Sequence, residues 1–433
     1  ASKGFRKDGP KNRLREQDLH RIVDTVNKHS DIPGYARMVP VAEISDAKND
    51  YNLNLPRYID STEAEDLQDI EGHLRGGIPN RDLDALHAYW QVIPSVRAAL
   101  FEDMRPGYSQ LRIAKTEIKA TIFEHVEFTS FNVKATELFA KWRKANSPHL
   151  TGLDKDGHPK ALIETIAESL LQTFEHAPLL DAYDVYQHLM DYWAESMQDD
   201  CYLIAADGWV EAAKPKLIIE DKSKKTKAKP DLVVGKKKYT TELLPPELVI
   251  ARYFAKDQAA IEALEAQQAA LEQQLEEMAE EHGGEGGLLE DAKNDKDKLT
   301  KASATARLKE IKADKDAADE RQALQEYLAL VEQESGVSSS IKAAHEAMVV
   351  KVAAKYELLT EVDIKTLVVD DKWIATLATA VQGELDRVSQ TLTGRIRELA
   401  ERYESPLPQI VDEVAALSAK VDEHLKKMGV SWK

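Results

Sequence analysis

The sequence predicts a mainly α chain with a short α/β start. Three observations carry that expectation. Over 433 residues there are only 16 prolines and 19 glycines, too few to interrupt long helices often. Apolar residues recur at helical spacing through most of the chain. β-type runs are confined to the opening and to a lysine-rich stretch before residue 246.

Bulk properties set limits. Single hydrophobic cores stop growing near ~250–300 residues, so more than one domain is expected. Charged residues are 31% and apolar ones 43%, the balance of a soluble globular or helical protein. Aromatics are 6% and lie mostly before residue 260, which predicts thin aliphatic cores later. The net charge of −18 makes the surface as a whole repel DNA and anionic membrane, so any nucleic-acid contact must come from a local basic patch. One cysteine, Cys201, excludes an internal disulfide framework and a Cys-rich zinc site and fits a reducing cytoplasm. No run approaches the roughly 18 consecutive apolar residues that read as a membrane span, and no membrane partner is expected.

The chain opens Ala1-Ser2-Lys3-Gly4-Phe5-Arg6, a charged loop with no hydrophobic element before it. That reads as the exit from a strand, and predicts the back part of a larger protein. Leu19, Ile22, Val23 and Val26 share a helical face, with Asn12 as the expected N-cap. Residues 35–40 and 51–59 read as strands, with a short helix at 41–48 between them. Residues 61–213 read as a helical domain. Leu83, Leu86, Trp90 and Ile93 are spaced for it, as are Leu162, Ile166, Leu170 and Phe174, and Gly76-Gly77-Ile78-Pro79 and Arg105-Pro106-Gly107 break it.

Residues 214–246 change character, with β-type runs at 217–219 and 232–234 around a lysine crowd at 222–238. From 247 a long helix keeps a 3-4-3-4 seam through Ile261, Leu264, Gln268, Leu271, Leu275 and Met278, then stops at the glycines of 283–287. A second helical stretch at 288–331 predicts an antiparallel hairpin over 247–335. Residues 336–433 read as a C-terminal helical bundle, with Ile341, Met348, Val352 and Tyr356 on one face and Leu385, Val388, Leu392, Ile396 and Leu399 on another. Ile410, Val414, Leu417, Val421 and Leu425 line the last helix.

Catalytic signatures do not emerge. The glycine cluster follows Glu276, Glu277, Glu280 and Glu281, which would repel phosphate, so it reads as a turn. G-x-S-x-G, H-E-x-x-H and C-x-x-C are absent, and the 12 histidines are scattered. Asp199 and Asp200 beside Cys201 argue against a reactive thiolate. Asp370-Asp371 before Lys372-Trp373 reads as a helix N-cap rather than a metal pair. Two segments are basic enough to meet phosphate. One is Lys3, Arg6, Lys7, Lys11, Arg13 and Arg15, the DNA-backbone candidates. The other is the lysine run at 222–238, although lysines on a hairpin tip most often only keep a sheet edge soluble.

The wording of several segments resembles modification (M) subunits of type I restriction–modification systems. They are Ser2-Lys3-Gly4-Phe5, residues 11–18 (Lys-Asn-Arg-Leu-Arg-Glu-Gln-Asp), 49–58 (Asn-Asp-Tyr-Asn-Leu-Asn-Leu-Pro-Arg-Tyr), 247–254, 284–289, 369–373, 392–396 and 401–403. The resemblance extends over essentially the whole chain and is most specific in the first sixty residues. It implies an adenine-N6 DNA methyltransferase in the full-length protein, which uses S-adenosylmethionine and flips the target adenine. It also implies the specificity subunit, a second M subunit, the restriction subunit and DNA as partners, in the cytoplasm. The family's cofactor loop and Asn-Pro-Pro-aromatic motif do not occur in this sequence, and Asn54-Leu55-Pro56-Arg57 is no substitute. No catalytic, cofactor-binding or metal residue is therefore carried over, and the chain alone is expected to be inactive. On this reading residues 1–60 complete the methyltransferase sheet. The remainder docks subunits and positions DNA, through Leu385, Val388, Leu392, Ile396, Leu399, Ile410, Val414, Leu417, Val421 and Leu425. The rival reading is a coiled-coil scaffold unrelated to DNA modification, which explains 247–331 but not the α/β start.

Overall fold

A computed structural model of the chain describes residues 4–60, 67–218, 229–284, 286–294, 296–314 and 316–429. It is mainly helical with small antiparallel sheets. In chain order, β1 (Arg6–Asp8) and β2 (Lys11–Arg13) form a hairpin and lead into α1 (Glu16–Asn27). Helix α2 (Ile70–Arg75) starts at Asp69, whose carboxylate accepts the Gly72 N–H at 2.7 Å. Strands β3 (Ile78–Pro79), β4 (Phe101–Arg105) and β5 (Tyr108–Leu111) pair in the order β3-β5-β4. Then come α3 (Val126–Thr151), α4 (Pro159–Phe174) with proline at its start, and α5 (Ala182–Tyr192) capped by Asp181. Strands β6 (Lys216–Leu217), β7 (Leu232–Val234) and β8 (Lys237–Thr240) follow. The long helices α6 (Ala255–His282), α7 (Ala318–Leu358), α8 (Ala375–Arg402) and α9 (Leu407–Lys427) complete the chain.

Two compact units result: Ala1–Leu153 with His158–Cys201 and Trp373–Lys433, and Asp154–Gly157 with Tyr202–Lys372. The first is a helical core. Phe123, Phe128 and Phe131 make a chain of tilted ring contacts, and Trp142 lies under Phe139 with its indole N–H bonded to the Ile166 carbonyl at 3.1 Å. Helix α8 packs on α5, on α3 and on the short helix Ile118–Phe123. Its stripe Leu385, Val388, Leu392, Ile396 and Leu399 is buried there, each residue less than 5% exposed. This corrects the docking expectation for those five residues, because the chain's own core consumes the face they were to offer. Cys201 is fully buried.

The strand expectations at 35–40 and 51–59 are also corrected. Residues 32–36 form one isolated bridge, and Leu55–Arg57 is a 3-10 turn. Local side-chain bonds win here: Asn54 N–H donates to Asn52, Lys48 N–H to Asp46, and Asp50 and Tyr51 adopt positive φ. Pro40 and Pro56 supply no N–H to a ladder. Asn12 lies in β2 rather than capping α1. The cap is Arg15, whose backbone and side chain both donate to Asp18.

The second unit is an antiparallel hairpin of α6 and α7. Gln268 meets Glu334, Glu265 meets His345 and Asp257 meets Lys351, so one helix descends as the other rises. Ile261 and Leu271 are buried along the expected seam. The returning helix differs from expectation. Residues 288–294 and 296–314 pack on the start of α7, where Leu289, Ala304 and Ile311 are buried together with Leu324 and Tyr327. Helix α7 then runs 41 residues, straight through the boundary expected at 335. A helical glycine such as Gly336 costs only about 1 kcal/mol, too little to stop a helix anchored at both ends by buried side chains. Residues 336–358 therefore belong to the hairpin and not to a C-terminal bundle. The turn itself needs its glycines: a Cβ on Gly287 would sit 2.3 Å from the His282 carbonyl.

At the base of this hairpin β6, β8 and β7 make an antiparallel sheet, with Gly235 at φ +61 in the turn. Lys222, Lys224, Lys225 and Lys227 of the lysine run, and Ile219, lie outside the described residues. Asp370 and Asp371 sit inside a π-helical stretch, Thr366–Ile374, so neither caps a helix start, and Asp371 pairs with Arg252 at 2.5 Å.

Candidate functional site

The opening hairpin is short because Gly9, at φ +59, lets the chain reverse within Asp8-Gly9-Pro10-Lys11. Every residue of β1 and β2 is exposed. Of the six basic candidates, Lys3 lies outside the described residues. Arg6 approaches Asp191 at 3.7 Å, and Arg13 pairs with Asp8 at 2.5 Å. Arg15 is held by both oxygens of Asp18, at 2.9 and 3.1 Å, and that pair pushes the Asp18 carboxyl below its ordinary range. Arg15 is thus a helix-capping residue and not an open phosphate ligand, which corrects its place among the candidates. Lys7, which passes 5.7 Å from the Phe5 ring centre, and Lys11 are exposed at the hairpin.

Behind the hairpin, α1 is seated on α5, and α5 is tied to α8, by a polar network. Gln17 is buried, receives its place from Gln187 (backbone N–H to side-chain oxygen, 3.0 Å) and donates to Asp184 at 2.9 Å. The other Asp184 oxygen accepts from Arg387 at 2.9 Å. Arg387 also donates to Glu384 at 2.6 Å, and Glu384 bonds His188 at 2.8 Å. The Glu384 hydrogen bond holds the His188 pKa above its ordinary value, and the same bond holds the Glu384 carboxyl low. Nearby, Arg21 stacks between Tyr35 and Tyr183 at 4.9 and 5.4 Å, and Tyr183 donates to Asp24. A cleft of about 610 Å³ lies between α1 and the 34–36 and 55–59 loops, lined by Arg15, Arg21, Tyr35, Pro56 and Asp181 among others.

The sequence reading missed this network, since its bonded partners lie up to 203 residues apart in the chain. One signal was present. Asp184, Gln187, His188 and Asp191 put a polar stripe on a helix that otherwise buries Val185, Tyr186 and Leu189. Such a stripe calls for a polar partner. The groups gathered here bind one another, which suits a rigid support. Among the described residues no group of three or more His, Cys, Asp or Glu is placed to hold a metal ion. No helix among them is long and apolar enough to cross a membrane.

The other five docking candidates lie on α9. Ile410, Val414, Leu417 and Val421 are 42–59% exposed, Leu425 is half-buried, and the helix buries none of its side chains. Leu407 and Val411 extend the same exposed face. Apolar residues repeating through a whole helix without cover mark an interaction face.

Comparison with known proteins bears on the opening segment. The family described as N-6 DNA Methylase matches residues 1–67. The Type I restriction enzyme MjaVII methylase subunit of Methanocaldococcus jannaschii is 40% identical over 63 residues, which are 14% of this chain and 11% of that relative. No solved structure matches. The resemblance to type I modification subunits is borne out over this short region.

Proposed function

We propose that this chain, whose opening segment is that of a type I modification subunit, is the carboxy-terminal, subunit-docking and DNA-positioning part of a DNA adenine-N6 methyltransferase. The observation that carries the reading is the family match on residues 1–67, in a segment whose α1 is bonded to α5. Residues 1–60 supply the last part of the methylase domain, and Leu19, Val23 and Val26, all more than 40% exposed, are faces for the rest of it. The helical body fixes that domain relative to the partners: the specificity subunit, a second M subunit, the restriction subunit and DNA. Lys7 and Lys11 supply backbone-phosphate contacts. S-adenosylmethionine serves the full-length protein. The residues of this chain do not reproduce the family's cofactor or adenine motif, so no step is routed through them.

The experiment is a salt series. Lys7→Glu and Lys11→Glu are introduced into the longer protein, assembled with its specificity subunit, and duplex affinity is measured across ionic strength. Each substitution should weaken binding for all sequences alike and flatten the log–log salt slope by about one. Unchanged slopes would remove the hairpin from the DNA interface.

A further inference from the structure

Lys236, Lys237 and Lys238 stand together at the tip where β7 turns back into β8. Lys236 lies in the turn Gly235-Lys236, Lys237 and Lys238 open β8, and all three are exposed. We infer that this tip is a phosphate-binding surface, whose lysines contact the backbone of duplex DNA and read no sequence. The inference rests on the family reading, which makes duplex DNA the polyanion. It adds a second contact, on the unit that does not contain the opening hairpin.

Edge protection is the ordinary use of sheet lysines, and the topology argues against it here. Strand β8 is the central strand, in the order β6-β8-β7. Lys238 pairs with Val233 of β7 on one side, and on the other its carbonyl accepts the Ile218 N–H at 2.9 Å. A strand bonded on both sides has no edge to keep soluble. The edge strand β7 is Leu232-Val233-Val234 and carries no lysine. Charge balance is not the explanation either. Acids outnumber Lys and Arg by 76 to 58 in the whole chain, yet residues 229–241 hold four lysines and one acid. That acid, Asp231, is taken up by the Thr240 hydroxyl and the Thr241 N–H, at 3.0 and 2.8 Å. Lys214 and Lys216 of the same unit are answered by Glu211 and by Glu242 and Asp207. Among the described residues Lys236 and Lys237 have no carboxylate partner. The tip is also supported, since Leu232 is buried and β7 packs on α7. The residue types name the ligand. Lysine is a point charge that suits phosphate, whereas bidentate base contacts call for arginine. Tyr239 is half-buried and pairs with the buried Leu232, so the tip presents no aromatic for a base to stack on.

The test uses the longer protein assembled with its specificity subunit. Lysines are acetylated with and without a short duplex that lacks the recognised site, and the modified positions are read by mass spectrometry. Lys236, Lys237 and Lys238 should lose reactivity at least several-fold when duplex is bound. In a salt series, Lys236→Gln with Lys237→Gln should flatten the log–log slope of duplex affinity by about two. Lys236→Arg with Lys237→Arg keeps the charge and should keep the slope. Unchanged reactivity with duplex bound overturns the proposal, as does a slope indifferent to the glutamine pair. Lysines already protected in the DNA-free complex assign the tip to a protein partner and overturn it too. Each of these outcomes leaves adenine methylation by the complex, and with it the family reading, in place. A complex that methylates no adenine overturns the family reading and this proposal together.

Discussion

Glu384 holds two cations at once, His188 and Arg387, and through Arg387 it fixes Asp184 and then Gln17 of α1. The sign of its pH dependence follows. The His188 pKa is raised in the folded chain, so its stabilisation is complete below the ordinary value of 6.5 and is lost as pH rises through the raised one. The Glu384 pKa is lowered from 4.5, so its contribution is present above that value and is lost as pH falls through the lowered one. The thermal midpoint of wild type should therefore exceed that of His188→Gln most between about pH 5 and 6.5, and the gap should close on the alkaline side. A gap independent of pH would show that the pair is not what holds this site. Gly77 makes a second claim at this scale. It sits at φ +92, with Met104 Sδ and Tyr108 Cβ each 3.1 Å from where a Cβ would lie. Gly77→Ala should lower unfolding free energy by ~1–3 kcal/mol in denaturant titration, and an unchanged midpoint would mean the β3–β5 pairing gives way without cost.

At the scale of elements, α8 and α9 are the instructive pair, because the sequence patterns are alike and the outcomes opposite. Both show aliphatic residues at heptad-like spacing, yet Ile396 is fully buried and Val414 is 56% exposed. Periodicity tells which residues share a face, and it cannot tell whether the chain itself covers that face. Ile396→Ala should cost about 2–5 kcal/mol, whereas Val414→Ala in the isolated chain should stay within about 0.5 kcal/mol. Equal losses would place α9 in the core. The same limit explains the hairpin. The α6 seam was legible from Ile261 and Leu271. The returning helix was not, because Leu289 and Ile311 are buried with Leu324 and Tyr327 of α7 through contacts that periodicity does not reveal. The 35–40 and 51–59 runs failed for a local reason: Asn, Asp and Pro at Asp46, Asn52 and Pro56 bond to the backbone or lack an N–H, and alternation alone does not supply a partner strand.

At the scale of the molecule, the family of the opening was legible in its words, and the way that segment is seated was not. Short motifs survive in sequence, while the Gln17–Asp184–Arg387–Glu384–His188 chain exists only after folding. The basic candidates show the same division. Lys7 and Lys11 were legible as part of a basic segment, but their place on an exposed hairpin and the pairing of Arg15 with Asp18 required the geometry. Taken together, the account gives this chain the work of holding and positioning, and gives methyl transfer to the longer protein. The direct measurement supplies S-adenosylmethionine, target duplex and the specificity subunit either to this chain or to the longer protein, and counts methyl groups on adenine N6. The account predicts transfer by the longer protein and none above background by this chain. Transfer by this chain would contradict it.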